Sequence, residues 1–178
     1  MGKFHHGKNA VDTQVLTGHG GANQVWIGAW NSAKSRLVFR GEDPADGIRI
    51  CTGGGVTGEV CGSDVHVVGI NLFINLRGVG RVGPGLWVLW GPAIAPPDTI
   101  RSCVVQGGDS GSPDYHYNAD GRVTVHGFMV AADLRLATDR CRGNPDFYPP
   151  GKAVSAHGFA VNVHEALHDQ LNVTVLTG

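Results

Sequence analysis

The sequence predicts an all-β fold with little helix, and three observations support this prediction. Glycine is abundant, with 28 of 178 residues, and short runs rich in Val, Ile, Thr and Trp recur along the chain. Gly, Pro, Asn and Asp separate these runs, which is typical of strands joined by tight turns. The hydrophobic content of 42% fits one compact domain or two small barrels packed together.

The strands can be placed in order from these runs and their boundaries. Turns are expected at Asn31-Ser32, at Gly53–Gly55 and at Asn118–Gly121, and the fourth run should bend at Gly69. Prolines between residues 92 and 97 interrupt the sheet, because proline lacks a ladder donor. After a short stretch at residues 11–16, the predicted strands are Val25–Trp30, Arg36–Arg40, Ile48–Cys51, Val65–Leu76, Leu86–Trp90, Ile100–Val105, Val123–Val130 and Gly158–Val161.

One helix is predicted, at the C-terminus. Val163, Ala166, Leu167 and Leu171 fall at i, i+3, i+4 and i+8, which places them on one face of a helix. The polar, Pro- and Gly-containing segment from residue 133 to 156 separates this end of the chain from the preceding strands.

The charge balance argues against two classes of partner. Fourteen Lys and Arg against fifteen Asp and Glu give a formal net charge of -1, so nothing indicates binding to nucleic acid or to an anionic membrane. The longest apolar runs are interrupted by His, Asn, Gly or Pro and are shorter than a bilayer requires. We therefore expect no transmembrane helix.

Four cysteines fall into two separated pairs, Cys51 with Cys61 and Cys103 with Cys141. A metal site would more often have Cys-x-x-Cys spacing, so we interpret the cysteines as two disulfides. Three connectivities are possible, and we predict sequential pairing, which closes the shortest loops. Disulfides indicate an oxidising compartment, and we expect a secreted protein.

The N-terminal residues carry no export signal. Met1-Gly-Lys-Phe-His-His6 has neither an apolar core nor a small-residue cleavage site. Since disulfides require export, we expect the chain to be truncated at this end.

Gly107-Gly-Asp-Ser-Gly-Ser-Pro113 is the motif that points to chemistry. A serine hydroxyl is a weak nucleophile, and acyl transfer needs a neighbouring base and N–H groups that stabilise the oxyanion. The glycines permit a turn that presents Ser110, and the N–H groups of Gly108 and Ser110 can point into one oxyanion hole. The alternative is an ordinary Gly-rich loop with a solvated aspartate.

This motif stands among others in a fixed order: Cys51-Thr-Gly-Gly-Gly-Val-Thr-Gly-Glu-Val-Cys61-Gly, Arg101-Ser-Cys103, the serine motif, Cys141, and Phe159-Ala-Val-Asn-Val-His-Glu-Ala-Leu167 before Val173-Thr-Val. In this order they resemble the streptogrisin-like and α-lytic-type bacterial branch of the chymotrypsin family of serine peptidases. The resemblance covers residues 48–178.

The resemblance implies a trypsin-like double Greek-key β-barrel closed by a C-terminal helix. One peptidase domain would span residues 1–178. Residues 1–47 would be the remnant of an incomplete first barrel, and residues 48–178 would form the second barrel and the helix.

The resemblance also implies a catalytic triad in the order His, Asp, Ser. Ser110 matches the nucleophile, and Asp12 matches the triad aspartate, although a solvated turn residue is the alternative for Asp12. The Ala-His-Cys-like string of the family does not occur in this chain, and His5 and His6 lie too close to Asp12 to replace it. The remaining histidines follow Asp12 and would break the family order.

Two departures from the family bear on substrate binding. Ser112 stands where the family usually has glycine, a small change that the turn should tolerate. Gly127–Ala132 corresponds to the strand that lines the primary substrate pocket, and Val130, Ala131 and Ala132 would narrow that pocket. The family's side-chain preference therefore does not carry over.

Three hypotheses remain. The first is a serine endopeptidase acting on polypeptides, weakly active or inactive as given because the base is missing. The second is a protease-like protein that has lost its triad and binds a polypeptide in the former catalytic cleft. The third is an esterase in which His126 or His157 supplies the base. None requires a cofactor or a metal ion, and we expect a monomer.

Overall fold

The computed structural model is built of strands throughout the part of the chain that it describes. It describes residues 3–5, 15–17, 22–66, 74–76, 80–82, 86–91, 93–95, 100–101, 103–133, 154–164 and 177. In these ranges the regular elements are strands, which confirms the all-β prediction. In order they are β1 (Lys3–His5), β2 (Val15–Thr17), β3 (Gln24–Ile27), β4 (Lys34–Gly41), β5 (Arg49–Gly54), β6 (Gly58–His66), β7 (Ile74–Leu76), β8 (Gly80–Val82), β9 (Leu86–Trp90), β10 (Ala93–Ala95), β11 (Ile100–Arg101), β12 (Val105–Gln106), β13 (Pro113–Tyr117), β14 (Val123–Ala132), β15 (Val154–Ser155) and β16 (His157–Asn162).

Six of these strands close into a barrel. Hydrogen-bonded neighbours follow the order β13-β5-β6-β9-β16-β14, and β13 also pairs with β14, which joins the two ends of the sheet. Every pair in this ring is antiparallel. Closure gives each barrel strand a partner on both sides, which is the usual way for an antiparallel sheet of this size to satisfy its backbone groups.

Strands β3 and β4 form a hairpin that extends the barrel sheet. They pair antiparallel to each other, and β4 runs parallel to β14 with Val38 opposite Val123. Val25, Ile27 and Val38 are buried against the barrel. On the other face of the hairpin the exposed apolar side chains are Trp26, Leu37 and Phe39. The hairpin therefore packs on the barrel through one face only.

The barrel interior holds the main hydrophobic core. Side chains alternate between the two faces of each strand, so the inward residues of neighbouring strands meet. Ile50, Val65, Trp87, Leu89 and Met129 belong to one cluster and are each at most 1% exposed. Burial of such a side chain contributes about 1.5–3 kcal/mol. This core supports the segment between β12 and β13, which carries the serine motif.

Most of the predicted strands are present, with three corrections. The glycine turn is shifted, because β5 continues through Gly54 and the turn occupies residues 55–57. The strand predicted from Val65 begins at Gly58. Strand β13 was not predicted, since it follows the serine motif directly and begins with a proline. Strand β13 and the first part of β6 contain few β-branched residues, and their neighbours in the barrel hold them in place.

The first predicted disulfide is confirmed. Cys51 on β5 and Cys61 on β6 lie opposite each other in the ladder, and their sulfur atoms are bonded at 1.99 Å. Cys103 is also disulfide-bonded. Cys141 lies outside the described residues, so its pairing with Cys103 stays a prediction.

Several other expectations fall outside the described residues. These are the triad candidate Asp12, the bend at Gly69 and the C-terminal helix beyond His164. The division into a first-barrel remnant at residues 1–47 and a second barrel at 48–178 likewise stays a prediction. Across the described ranges, no helix has the length and apolar character needed to span a membrane.

Candidate active site

The segment between β12 and β13 presents Ser110 at the surface. Gly107, Gly108, Ser110 and Gly111 are exposed, whereas Asp109 between them is fully buried. Gly108 and Gly111 adopt φ values of 105° and 85°, in the region that favours glycine. The alternation of a buried aspartate with exposed neighbours turns the serine outward, as the motif predicted.

The Asp109 carboxylate joins this segment to the β5–β6 turn. Its Oδ1 accepts the N–H groups of Val56 at 2.8 Å and Thr57 at 3.1 Å. Its Oδ2 accepts the Thr57 hydroxyl at 2.8 Å and the N–H of Gln106 at 3.0 Å. We call this arrangement the Asp109 clasp. Hydrogen bonds to a charged group each contribute about 1.5–3 kcal/mol, so the clasp fixes the aspartate firmly. The alternative of a solvated aspartate is therefore wrong.

Two glycines leave the space that the clasp needs. A Cβ at Gly54 would lie 2.7 Å from Asp109 Oδ1 and 2.0 Å from the Thr57 hydroxyl oxygen. A Cβ at Gly108 would lie 2.7 Å from the Val56 side chain. The sequence predicts both glycines as turn residues. Gly54 also leaves room for the Asp109 carboxylate, and Gly108 lets the serine segment approach the β5–β6 turn.

The serine segment is also tied to strand β14. The N–H of Gly111 donates to the carbonyl of Met129 at 2.7 Å, and the N–H of Met129 donates to the carbonyl of Ser112 at 2.9 Å. The N–H of Ser112 turns back to the carbonyl of Asp109 at 3.0 Å. Ser110 is therefore held from both sides, by the clasp and by this extension of the β13–β14 ladder.

The two N–H groups of the predicted oxyanion hole differ from their neighbours. Asp109, Gly111 and Ser112 each donate their N–H to a carbonyl within the fold. The N–H groups of Gly108 and Ser110 have no acceptor among the described residues. These two donors flank the buried Asp109 in a segment fixed by hydrogen bonds, and such unpaired N–H groups are the kind that an oxyanion hole uses.

The predicted pocket residues lie at the end of β14 next to the serine segment. Val130 is buried, and Ala131 and Ala132 are half-buried. One side of this part of β14 pairs with β16, with Ala131 opposite Phe159. On the other side, the pairing with β13 ends at Phe128, and no described strand continues it. Within the described ranges this edge has no strand partner, and an extended peptide can add to an edge of this kind.

No described histidine is hydrogen-bonded to Ser110. His126 has both ring nitrogens occupied: Nδ1 donates to the carbonyl of Glu42 at 2.8 Å, and Nε2 accepts from His116 Nδ1 at 2.7 Å. Burial lowers the pKa of His126, so the ring is neutral at pH 7. His157 stacks on Trp90 with ring centroids 5.0 Å apart. Neither residue of the esterase hypothesis is arranged as a base for Ser110.

Glu59 is a residue that sequence reasoning missed. Its Oε1 accepts the hydroxyls of Tyr115, at 2.8 Å, and of Tyr117. Its Oε2 accepts the N–H of Gly28 at 3.0 Å, while its own N–H donates to the Gly28 carbonyl at 2.7 Å. Glu59 thereby fastens the hairpin to the barrel. No local pattern marks this role, because every partner is distant in sequence.

The group of Cys51, Glu59 and Cys61 is close enough to resemble a metal site, but both sulfur atoms belong to the disulfide. A disulfide sulfur has no thiolate to offer a metal ion. This group therefore fits no metal.

No protein-family profile matches the chain. No curated protein matches it by sequence. One solved structure that is similar is described as a glutamic-acid-specific serine protease that utilizes a novel histidine triad in substrate binding. The TM-score is 0.60 at 19% sequence identity, over 98% of this chain and 73% of that one.

The chain has the chymotrypsin-like protease fold. At this level of identity the likeness concerns the fold and not the substrate, and it does not single out the streptogrisin-like branch. It concerns the arrangement of the strands and assigns no role to the serine segment.

Proposed function

We propose that this chain is a serine-endopeptidase-like protein that hydrolyses peptide bonds through Ser110. The observation that supports this most directly is the Asp109 clasp, which holds Ser110 outward next to the N–H groups of Gly108 and of Ser110 itself, both without a described acceptor. A buried carboxylate that accepts four donors fixes the exposed serine and these N–H groups in one arrangement, as acyl transfer requires.

The proposed reaction is acyl transfer in two steps. The base takes the Ser110 hydroxyl proton as the oxygen attacks the peptide carbonyl carbon, and the N–H groups of Gly108 and Ser110 stabilise the oxyanion. In the collapse of this intermediate the base gives the proton to the amine, the C–N bond breaks, the amine leaves and an acyl group remains on Ser110. Water then attacks the ester and frees the acid. Asp12 would orient the base, as the family resemblance implies, and we assign the base to no described residue.

The substrate would bind as an added strand beside β14. The edge at Val130, Ala131 and Ala132 offers backbone groups for pairing, and it starts next to Gly111 and Ser112. The Val130 side chain packs with Leu86 and Val161. This arrangement supports a narrow primary pocket that takes a small side chain.

The glutamic-acid preference of the similar protease is not part of this proposal. That protein uses a histidine triad in substrate binding. Here His116 and His126 pair with each other and with the Glu42 carbonyl. His116 lies near the end of β13 that is farther from Ser110.

The second candidate is a polypeptide-binding protein without hydrolytic activity. It is favoured by the occupied ring nitrogens of His126 and by the end of β14, whose edge has no described strand partner and could bind a peptide without catalysis.

For either candidate, the Cys51–Cys61 disulfide supports a secreted protein of an oxidising compartment. A bacterial origin and a monomeric state belong to the same proposal.

A fluorogenic peptide library tests this proposal. We expect slow cleavage by the oxidised chain, with small residues favoured before the scissile bond, and loss of cleavage in Ser110→Ala. Cleavage that persists in Ser110→Ala would overturn the assignment of the nucleophile. Peptide binding without cleavage, with equal affinity in both proteins, would overturn the hydrolase and support the second candidate.

A further inference from the structure

A groove lies between the β3–β4 hairpin and the β5–β6 turn, beside the serine segment. Its volume is about 670 Å³. The residues that matter for its chemistry are Trp26, Trp30, Phe128 and Glu59, and its floor is made of glycines that include Gly28 and Gly53. We call it the hairpin groove.

The walls of the groove are aromatic and open to solvent. Trp26 is 68% exposed and Trp30 is 42% exposed, which is unusual for the largest apolar side chain. Their positions are fixed by the close approach of hairpin and barrel: a Cβ at Gly58 would lie 2.6 Å from the Trp30 nitrogen, and one at Gly53 would lie 3.2 Å from the Trp26 carbonyl oxygen. The backbone at both tryptophans is therefore held close to the barrel.

Glu59 gives the groove a negative charge. Among the described residues that line the groove, it is the one charged side chain, and none of them is positive. The partners of its carboxylate are two tyrosine hydroxyls and the Gly28 N–H, all neutral donors. No described Lys, Arg or His lies within ion-pair distance of Glu59. The charge is held in place but is not neutralised.

We propose that the hairpin groove binds an arginine side chain of a polypeptide. Aromatic faces attract a cation through the ring quadrupole, and tryptophan does so most strongly. The guanidinium group also stacks flat on an indole and donates several N–H groups to a carboxylate. Glu59 Oε2 accepts a single N–H from the protein, which leaves it acceptor capacity for the ligand.

The groove ends close to the serine segment. Gly55, Pro113 and Phe128 line it, and Pro113 and Phe128 are paired at the start of β13. At the turn, a Cβ on Gly55 would lie 3.9 Å from the Gly108 carbonyl oxygen. An arginine in the groove would thus belong to a polypeptide that passes close to Ser110. That this polypeptide is also cleaved rests on the proposed function, whereas the binding itself does not.

Binding should be measured in a Ser110→Ala background, so that hydrolysis plays no part. A capped pentapeptide with a central arginine is titrated against the same peptide with citrulline, which has the same shape but no charge. Tryptophan fluorescence and calorimetry report the affinity. We expect saturable binding of the arginine peptide, about tenfold weaker binding of the citrulline peptide, and weakening by added salt.

Matched variants locate the site. Glu59→Gln keeps the shape and should weaken arginine binding about tenfold, whereas Glu42→Gln, a carboxylate outside the groove, should leave it unchanged. Trp30→Leu alters an exposed side chain and should weaken binding several-fold without loss of fold, which circular dichroism checks. Equal affinity for the arginine and citrulline peptides, or no binding at millimolar peptide, would overturn the proposal. Because this test uses Ser110→Ala, neither result bears on peptide cleavage by the chain that carries Ser110, and the two proposals fail separately.

Discussion

Thr57 binds the carboxylate of Asp109 twice, through its N–H at 3.1 Å and through its hydroxyl at 2.8 Å. The two residues are 52 positions apart in the chain, and Asp109 is fully buried. This contact ties the residue before the predicted nucleophile to the β5–β6 turn. The orientation of Ser110 therefore depends on a turn that carries no catalytic group itself.

Removing this contact should loosen the site. Thr57→Val deletes the hydroxyl but keeps the shape, and we expect it to lower the free energy of unfolding by about 1.5–3 kcal/mol, since the lost bond is to a charged group. Asp109→Asn replaces an acceptor by a donor that faces N–H groups, so it should cost about 3 kcal/mol or more. Urea unfolding gives both values.

The exposed Asp120 provides the control for these variants. It pairs with Arg122 at the surface, and Asp120→Asn should leave the unfolding midpoint unchanged. If Asp109→Asn behaved like Asp120→Asn, the clasp would not hold the serine segment.

Replacing Gly107 or Gly108 by alanine should change the rate of acylation at Ser110 to different extents. Gly108 has a φ of 105°, and an added Cβ would meet Val56 at 2.7 Å, whereas a Cβ at Gly107 meets nothing within 4 Å. Gly108→Ala should therefore shift the N–H of the oxyanion hole and lower the rate of acylation at Ser110 about tenfold or more. Gly107→Ala should retain the rate. Equal rates for the two variants would argue against an oxyanion hole at Gly108.

Asp114 should make stability fall as the pH rises. It is fully buried, and desolvation raises its pKa from 3.8 to about 7 against the opposing effect of the Thr52 hydrogen bond. Between about pH 4 and pH 7, Asp114 is protonated in the folded chain and ionised in the unfolded chain. The free energy of unfolding is therefore highest below about pH 4, as far as this group contributes, and falls as the pH rises through this window. The slope should be about 1.4 kcal/mol per pH unit in this window.

Asp114→Asn should remove that slope, because an amide does not titrate. Its Oδ1 can still accept the Thr52 hydroxyl, which Asp114 Oδ1 accepts at 2.6 Å. Free energies of unfolding at pH 4.5, 6 and 8 measure the effect, with the exposed Asp46→Asn as control. A slope that persists in Asp114→Asn would assign the pH dependence to another group.

The Cys51–Cys61 disulfide closes a loop with a sequence separation of 10. A disulfide that closes a loop of this length restricts the unfolded chain, which raises the free energy of unfolding by about 3 kcal/mol. The double variant Cys51→Ser, Cys61→Ser should lose stability by that amount in thermal unfolding. Since the disulfide lies between two strands already paired in the barrel, the fold should be retained; loss of all cooperative unfolding would contradict this.

The sequence could predict what depends on local patterns. Alternation and turn residues located most strands, and the serine motif with its flanking glycines indicated the exposed Ser110 turn. The Asp109 clasp could not be found this way, because its partners come from a turn whose glycines have several possible uses. The space that Gly54 leaves for the Asp109 carboxylate exists only once the end of β5 lies against the segment between β12 and β13. Glu59 was missed for the same reason.

Strand β6 shows a second reason why sequence patterns fall short. Its first seven residues, from Gly58 to Asp64, carry two glycines, two acidic residues and a half-exposed pattern, so no alternation marks them as a strand. The ladder to β5 and the Cys51–Cys61 bridge hold it in place. Tertiary pairing here overrides a weak local preference.

Labelling with a fluorophosphonate probe determines whether the fold presents Ser110 as an activated nucleophile. The probe reports a reactive serine whatever the substrate. We expect slow labelling of the purified, oxidised chain at Ser110 and none in Ser110→Ala. A folded chain that the probe does not label, or equal labelling of Ser110→Ala, would show that Ser110 is not an activated nucleophile.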